Sequence, residues 1–127
     1  MPTEHYLDQV RVLVVEDEVF IAFDLAYAVE QAGGITVGPA STVAQALTLI
    51  AKGGIHAAIL DVNLPDGHIG PVLEALPPDL AVVVHTGVGL PSDIRARFPH
   101  VPVFLKPTPP AELTAHLAHA LADNSRP

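Results

Sequence analysis

The chain contains no cysteine. That excludes disulfides, thiolate metal sites and a thiolate nucleophile, and it agrees with a reducing compartment. Basic residues are scarce: 6 Lys and Arg stand against 14 Asp and Glu, for a formal net charge of −8. Such a chain lacks the basic patches that neutralise phosphates, which argues against direct nucleic-acid binding. No apolar run approaches the ~18 residues of a membrane span. The polar start, Met1–Asp8, does not read as a signal peptide. The expectation is a cytoplasmic protein with no membrane insertion. What is present is core material: half of the 127 residues are hydrophobic and only 16% are charged. That suits one folded domain and excludes a disordered chain.

Strand and helix signals alternate along the chain. Arg11–Val15 is a short β-branched run that ends in Glu16-Asp17-Glu18, a buried strand running into a polar loop. Val19–Gln31 carries Ile21, Leu25, Ala28 and Val29 at helical spacing, and Gly33-Gly34 stops it. Ile35–Val37 is a second strand. Thr42 and Gln45 have capping-box spacing before a helix that Gly53-Gly54 ends. His56–Leu60 is a third strand, ending in Asp61, and Asn63–Gly67 is a turn-rich loop. A short helix follows over Pro71–Leu76. Leu80–Val84 is a fourth strand, ending in His85-Thr86-Gly87. Ser92 is the expected cap of a brief helix through Phe98. Val101–Leu105 is a fifth strand and Glu112–Leu121 a last helix. The alternation predicts an α/β sandwich on a parallel sheet. The 13 prolines crowd the second half and predict a short or irregular fourth helix.

In an open parallel sheet, ligands bind at the carboxyl ends of the strands, near the switch in strand order. Those ends carry Glu16 and Asp17, then Asp61, then Thr86, then Lys106. Clustered carboxylates repel one another and call for a cation. Every donor atom is oxygen, which selects a hard ion such as Mg²⁺, with Mn²⁺ as a substitute. A carboxylate beside such an ion and a lysine can attack phosphorus as a nucleophile. Lys106 and the Thr86 hydroxyl would then stabilise charge on the phosphoryl oxygens.

Val-Leu-Val-Val-Glu16-Asp17-Glu18, Asp61-Val-Asn63-Leu-Pro65-Asp-Gly67, Thr86-Gly87 and Lys106-Pro107 together resemble the receiver domain of two-component response regulators, of the chemotaxis type. Each piece alone is weak; the ordered set is specific. The resemblance covers essentially the whole chain. It implies a flavodoxin-like three-layer sandwich with sheet order 2-1-3-4-5, a receiver unit over residues 8–123 and no output domain. It implies that Asp61 is the phosphoacceptor and that Glu16, Asp17, Asp61 and the Asn63 carbonyl hold Mg²⁺. Thr86 matches the hydroxyl that turns to the phosphoryl group, and Gly87 the small residue that leaves access open. Lys106 matches the lysine that pairs with the aspartate and then the phosphate; its bond to Pro107 is cis in many relatives. The donor would be a histidine kinase or histidine phosphotransfer protein, and the message would pass to another, downstream protein. The domain is expected as a monomer or weak dimer.

The chain departs from the pattern at Val103, where most receivers carry an aromatic residue that couples to the threonine. Phe104 is adjacent, but alternation points it to the other face. His85-Thr86-Gly87 faintly resembles the Phe-Ala-Thr-Gly receiver subgroup of proteobacteria, with His85 in place of a small residue.

Two other functions fit parts of the same set. One is a receiver-like docking module that never takes phosphate; its usual mark is loss of the aspartate, the acidic pair or the lysine, and none is lost. The other is an aspartate-nucleophile phosphatase of the haloacid dehalogenase type, which usually carries a second Asp two residues after the first; here Asn63 stands there. Blander readings compete for single residues. The acidic run could serve a helix dipole, Asp61 a turn, and Thr86 or Lys106 an ordinary strand end. His116 and His119 could share a metal but lack a third ligand.

Overall fold

The structure is a computed structural model and describes residues 6–124. Most of the polar N-terminus, Met1–His5, lies outside the described residues. The elements are β1 (Arg11–Val15), α1 (Val19–Gln31), β2 (Ile35–Ala40), α2 (Val43–Ala51), β3 (Ala57–Leu60), β4 (Asn63–Leu64), β5 (Gly67–His68), α3 (Gly70–Ala75), β6 (Ala81–Thr86), α4 (Ser92–Arg97), β7 (Val103–Leu105) and α5 (Pro110–Asn124).

Five strands form one parallel sheet in the order β2-β1-β3-β6-β7. Setting aside the small ribbon β4–β5, this is the expected order 2-1-3-4-5. Alternation along the strands builds two cores. Leu13, Val15, Ala58, Leu60 and Val84 meet α2, α3 and α4 on one face. Val12, Val14, Ala57, Ile59 and Val83 meet Leu25 and Val29 of α1 and Leu113 and Leu117 of α5 on the other. Both faces are covered, which explains why these strands read as near-continuous apolar runs. Val103 packs on the first core and Phe104 on the second, as the two-residue repeat requires. Phe104 meets the His116 ring edge-on, with centroids 5.2 Å apart.

Several local expectations are corrected. β2 runs on to Ala40 through Gly38 and a cis Pro39. Gly38 has φ +100°, and a Cβ there would lie 2.7 Å from the Ala40 nitrogen, so only glycine fits without strain. The extra residue shifts the register between Leu13 and Val15. The Asn63–Gly67 loop is a two-stranded ribbon, with Asn63 paired to His68 and Leu64 to Gly67. Ser92 is the first helical residue of α4 rather than its cap; Pro91 holds the cap position without a side-chain hydrogen bond. α4 spans 6 residues, short as the prolines predict.

The start of α2 is capped more fully than its sequence signal suggests. Thr42 Oγ1 accepts from the Gln45 amide at 3.0 Å, while Gln45 Oε1 accepts from the Ser41 amide at 2.8 Å. Asp66, from the turn of the ribbon, accepts from the Val43 and Ala44 amides at 2.8 and 3.0 Å. These amides are the orphan donors of a helix start, and they hold the Asp66 carboxyl below the usual carboxylate range. The ribbon after Asp61 is thereby tied to α2.

Candidate functional site

Three hydrogen bonds just beyond the strands fix the site. The Glu16 amide donates to the Ala40 carbonyl at 2.9 Å, the Asp61 amide to Val15 at 2.9 Å, and the Lys106 amide to Thr86 at 2.8 Å. Each strand-end residue is thus locked to its neighbour before its side chain turns into the loop region. The shifted register of β2 sets Ala40 opposite Val15, beside the residue whose amide it accepts.

Glu16, Asp17 and Asp61 each bring a carboxylate oxygen within 4.8 Å of the others. Glu16 and Asp61 are buried and Asp17 is exposed. Lys106 Nζ stands 2.9 Å from Glu16 Oε1, 3.0 Å from Asp61 Oδ2 and 3.7 Å from Glu18 Oε2. Asp61 Oδ1 accepts from the Val62 amide at 2.7 Å, and Glu16 Oε2 from the Glu18 amide at 3.1 Å.

The electrostatics follow from this crowding. Burial pushes the Glu16 carboxyl up; Lys106 and the Glu18 amide oppose the push and the Asp61 charge adds to it, leaving Glu16 raised from 4.5 to about 7. Burial also works against the Lys106 ammonium, but its partners Glu16 and Asp61 outweigh it and hold Lys106 above its ordinary value. One ammonium therefore faces three converging carboxylates, a set that still lacks positive charge. The donor chemistry, all oxygen, fits a hard divalent ion.

The other expected residues stand around this cluster at greater remove. Thr86 is buried and its Oγ1 accepts from the Val88 amide at 3.2 Å, which leaves the hydroxyl hydrogen free to donate. Asn63 is exposed at the start of the ribbon, two residues past Asp61. Gly87 has open space where a Cβ would point. Glu18 and His85 join the surroundings without having been assigned a part. His85 is buried, and its Nε2 accepts from the Thr108 amide at a long 3.4 Å, leaving Nδ1 without a partner among the described residues. Burial, then the nearby Lys106 charge, holds His85 below its ordinary value. The fourth strand of the sheet runs on through His85 to Thr86, past the expected end at Val84, and this buries His85. A surface cleft of ≈ 710 Å³ opens near Leu76, Pro78, Phe98 and Pro102. None of its lining residues belongs to the acidic cluster, so it plays no part in this chemistry.

No family model and no curated protein matches the sequence. Solved structures do. The beryllofluoride-activated NtrC4 receiver domain dimer is 30% identical, with a TM-score of 0.71 over 91% of this chain and 98% of that one. A CheY-like response regulator receiver domain from Methanospirillum hungatei is 23% identical, with a TM-score of 0.82 over 92% of this chain and 97% of that one. A response regulator receiver protein from Sinorhizobium medicae is 20% identical, with a TM-score of 0.80 over 94% and 99% of the two chains. These matches run the length of the sheet and its helices, and the chain belongs to the response regulator receiver, or CheY-like, family.

Proposed function

We propose that residues 8–123 act as a phosphoacceptor receiver in a two-component phosphorelay, with Asp61 taking the phosphoryl group. The observation that carries this reading is the buried Asp61 carboxylate, ion-paired to Lys106 and converging with Glu16 and Asp17. In the forward step a carboxylate oxygen of Asp61 attacks phosphorus. The bond from phosphorus to the donor nitrogen of a phosphohistidine breaks, and the donor histidine leaves with that electron pair. The product is an acyl phosphate on Asp61. Water attacking the same phosphorus later returns the carboxylate and inorganic phosphate, so the domain resets and is a signalling phosphoacceptor, not an enzyme with a substrate of its own.

Mg²⁺ would be held by Asp17, Asp61 and the Asn63 carbonyl, with Glu16 supporting, and would supply positive charge against the phosphoryl oxygens; Mn²⁺ could substitute. Lys106 provides the fixed charge, moving its contact from the bare carboxylate to the phosphoryl group. The Thr86 hydroxyl donates to a phosphoryl oxygen the hydrogen that the Val88 amide leaves unused. Gly87 keeps the approach open. The donor is a histidine kinase or histidine phosphotransfer protein of the cytoplasm, and the rearranged loops after β3 and β6 are read by a downstream protein. No helix among the described residues is long and apolar enough to cross a membrane.

Beryllofluoride with Mg²⁺ tests the site without a protein donor. It should shift the amide resonances of Asp61, Thr86 and Lys106 in the wild type and not in Asp61→Asn. Absence of any Mg²⁺-dependent shift in the wild type would favour a docking module that takes no phosphate. On the faint resemblance of His85-Thr86-Gly87 alone, we further propose the Phe-Ala-Thr-Gly subgroup, whose members often work with stress-response kinases; a kinase panel without that preference would remove the proposal.

A further inference from the structure

His85 is a polar ring at a position that the core would fill with an aliphatic side chain. Ala81 and Val83 of β6 point into the core beneath α1 and α5, and alternation sends His85 to the same side. It is 4% exposed and pairs across the sheet with Phe104, which packs on that core.

What the ring meets is the loop that carries Lys106. The ladder between β6 and β7 ends at Thr86 and Leu105. Just past it the Lys106 amide donates to the Thr86 carbonyl at 2.8 Å. Pro107 has no N–H with which to continue. The next donor is the Thr108 amide, and its acceptor is His85 Nε2, at 3.4 Å. The Thr108 hydroxyl turns back on the loop and donates to the Leu105 carbonyl at 2.6 Å. Two successive residues of β6 therefore hold the loop on either side of Pro107, Thr86 through its carbonyl and His85 through its ring. Lys106, at this anchored turn, directs its ammonium to Glu16 and Asp61.

An accepting Nε2 puts the ring proton on Nδ1, and Nδ1 has no partner among the described residues. A buried donor left unpaired costs stability. Burial, then the Lys106 charge, holds His85 below its ordinary value, so the Nε2 lone pair stays available at neutral pH. Leucine would fill a similar space with no unpaired polar atom. The strand thus carries a residue that stability alone disfavours, at the point where it meets the loop of the site.

We propose that His85 is a positioning residue for phosphoryl transfer, its neutral ring fixing the loop Lys106–Thr108 and so the place where the Lys106 ammonium meets the phosphoryl oxygens. The proposal rests on the phosphoryl reading of Asp61. His85 touches no reacting atom; it acts through the Thr108 amide and the short stretch of chain from there to Lys106. Misplacing such a group by about 1 Å costs up to about a hundredfold in rate.

His85→Leu and His85→Gln separate this role from packing. The glutamine Oε1 stands as many bonds from Cα as Nε2 and accepts in its place; leucine fills the core and accepts nothing. Intact-protein mass followed in time with acetyl phosphate and saturating Mg²⁺ gives the rate of phosphorylation. His85→Leu should be slower by about tenfold or more, yet no less stable than the wild type in urea. His85→Gln should recover most of the rate. Hydrogen exchange at the Thr108 amide should accelerate in His85→Leu and not in His85→Gln, and the nitrogen resonances of the wild-type ring should report a proton on Nδ1 and none on Nε2. The proposal is overturned if His85→Leu is phosphorylated at the wild-type rate, if His85→Gln is as slow as His85→Leu, or if the ring proton sits on Nε2. Each of these results, beside a wild type that gains its phosphoryl group, overturns the role of His85 alone. A wild type that gains none overturns the phosphoryl reading and the role of His85 with it.

Discussion

Replacing Glu16 by glutamine should remove a specific part of the pH dependence of stability in the metal-free protein. Glu16 is 2% exposed and its carboxyl is raised from 4.5 to about 7, first by burial. Between those two pH values the folded chain holds a proton that the unfolded chain has released. Stability therefore falls as pH rises across this window, and the loss is complete above pH 7. At about 1.4 kcal/mol per tenfold change in proton affinity, the loss is on the order of 3 kcal/mol. His85, held below its ordinary value, acts with the opposite sign: its contribution is lost as pH falls below the unfolded histidine value. The comparison of wild type with Glu16→Gln cancels that part. Urea unfolding in EDTA from pH 4.5 to 8 reads the difference directly. The wild type should lose about 3 kcal/mol more than Glu16→Gln over that range, and Mg²⁺ at 100 times its Kd should return about 2.7 kcal/mol at the upper end. Equal pH slopes in the two proteins would refute the reasoning, because they would mean that the burial of Glu16 carries no titration cost.

Other expectations follow from single contacts. Lys106→Ala leaves Glu16 and Asp61 without their cation; unfolding in EDTA should show a loss of about 3 kcal/mol, largely recovered with Mg²⁺. Asp66→Ala removes the acceptor of the Val43 and Ala44 amides, so hydrogen exchange at those amides should accelerate. In the wild type this cap, whose carboxyl is held low, should persist above the ordinary aspartate range and be lost only as pH falls through the lowered value. Gly38→Ala meets backbone at 2.7 Å with φ +100° while Gly87→Ala meets nothing; urea unfolding should give a cost of about 2 kcal/mol for the first and under about 0.5 kcal/mol for the second.

The sheet was legible because both its faces are covered. Val12–Val15, Ala57–Leu60 and Val83–Val84 are fully or almost fully buried, so their apolar runs carried the strand signal without alternation. The residues at the strand ends followed from that placement, and Glu16, Asp17, Asp61 and Lys106 do meet. What escaped the sequence depends on contacts between distant segments. Leu7, inside a polar start, is wholly buried because its amide donates to the Ala32 carbonyl at 2.9 Å and its side chain joins the α1–α5 core. The Asp66 cap joins positions 23 residues apart, beyond any local capping pattern. The bulge at Gly38 and Pro39 is set by the Val14 and Ala40 backbone. Ser92 had the chemistry of a cap, yet Pro91 took the position, its fixed φ placing the helix start one residue earlier than a serine cap would. On α1, Leu25 and Val29 are buried as their spacing suggested, whereas Phe20, Phe23 and Tyr27, on the opposite face, are exposed.

The central claim is phosphoryl transfer to Asp61, and intact-protein mass after incubation with acetyl phosphate and Mg²⁺ tests it most directly. The wild type should gain one phosphoryl group and Asp61→Asn none, with the gain abolished by EDTA. No gain in the wild type when Mg²⁺ binding is separately confirmed, or an equal gain in Asp61→Asn, would contradict the account.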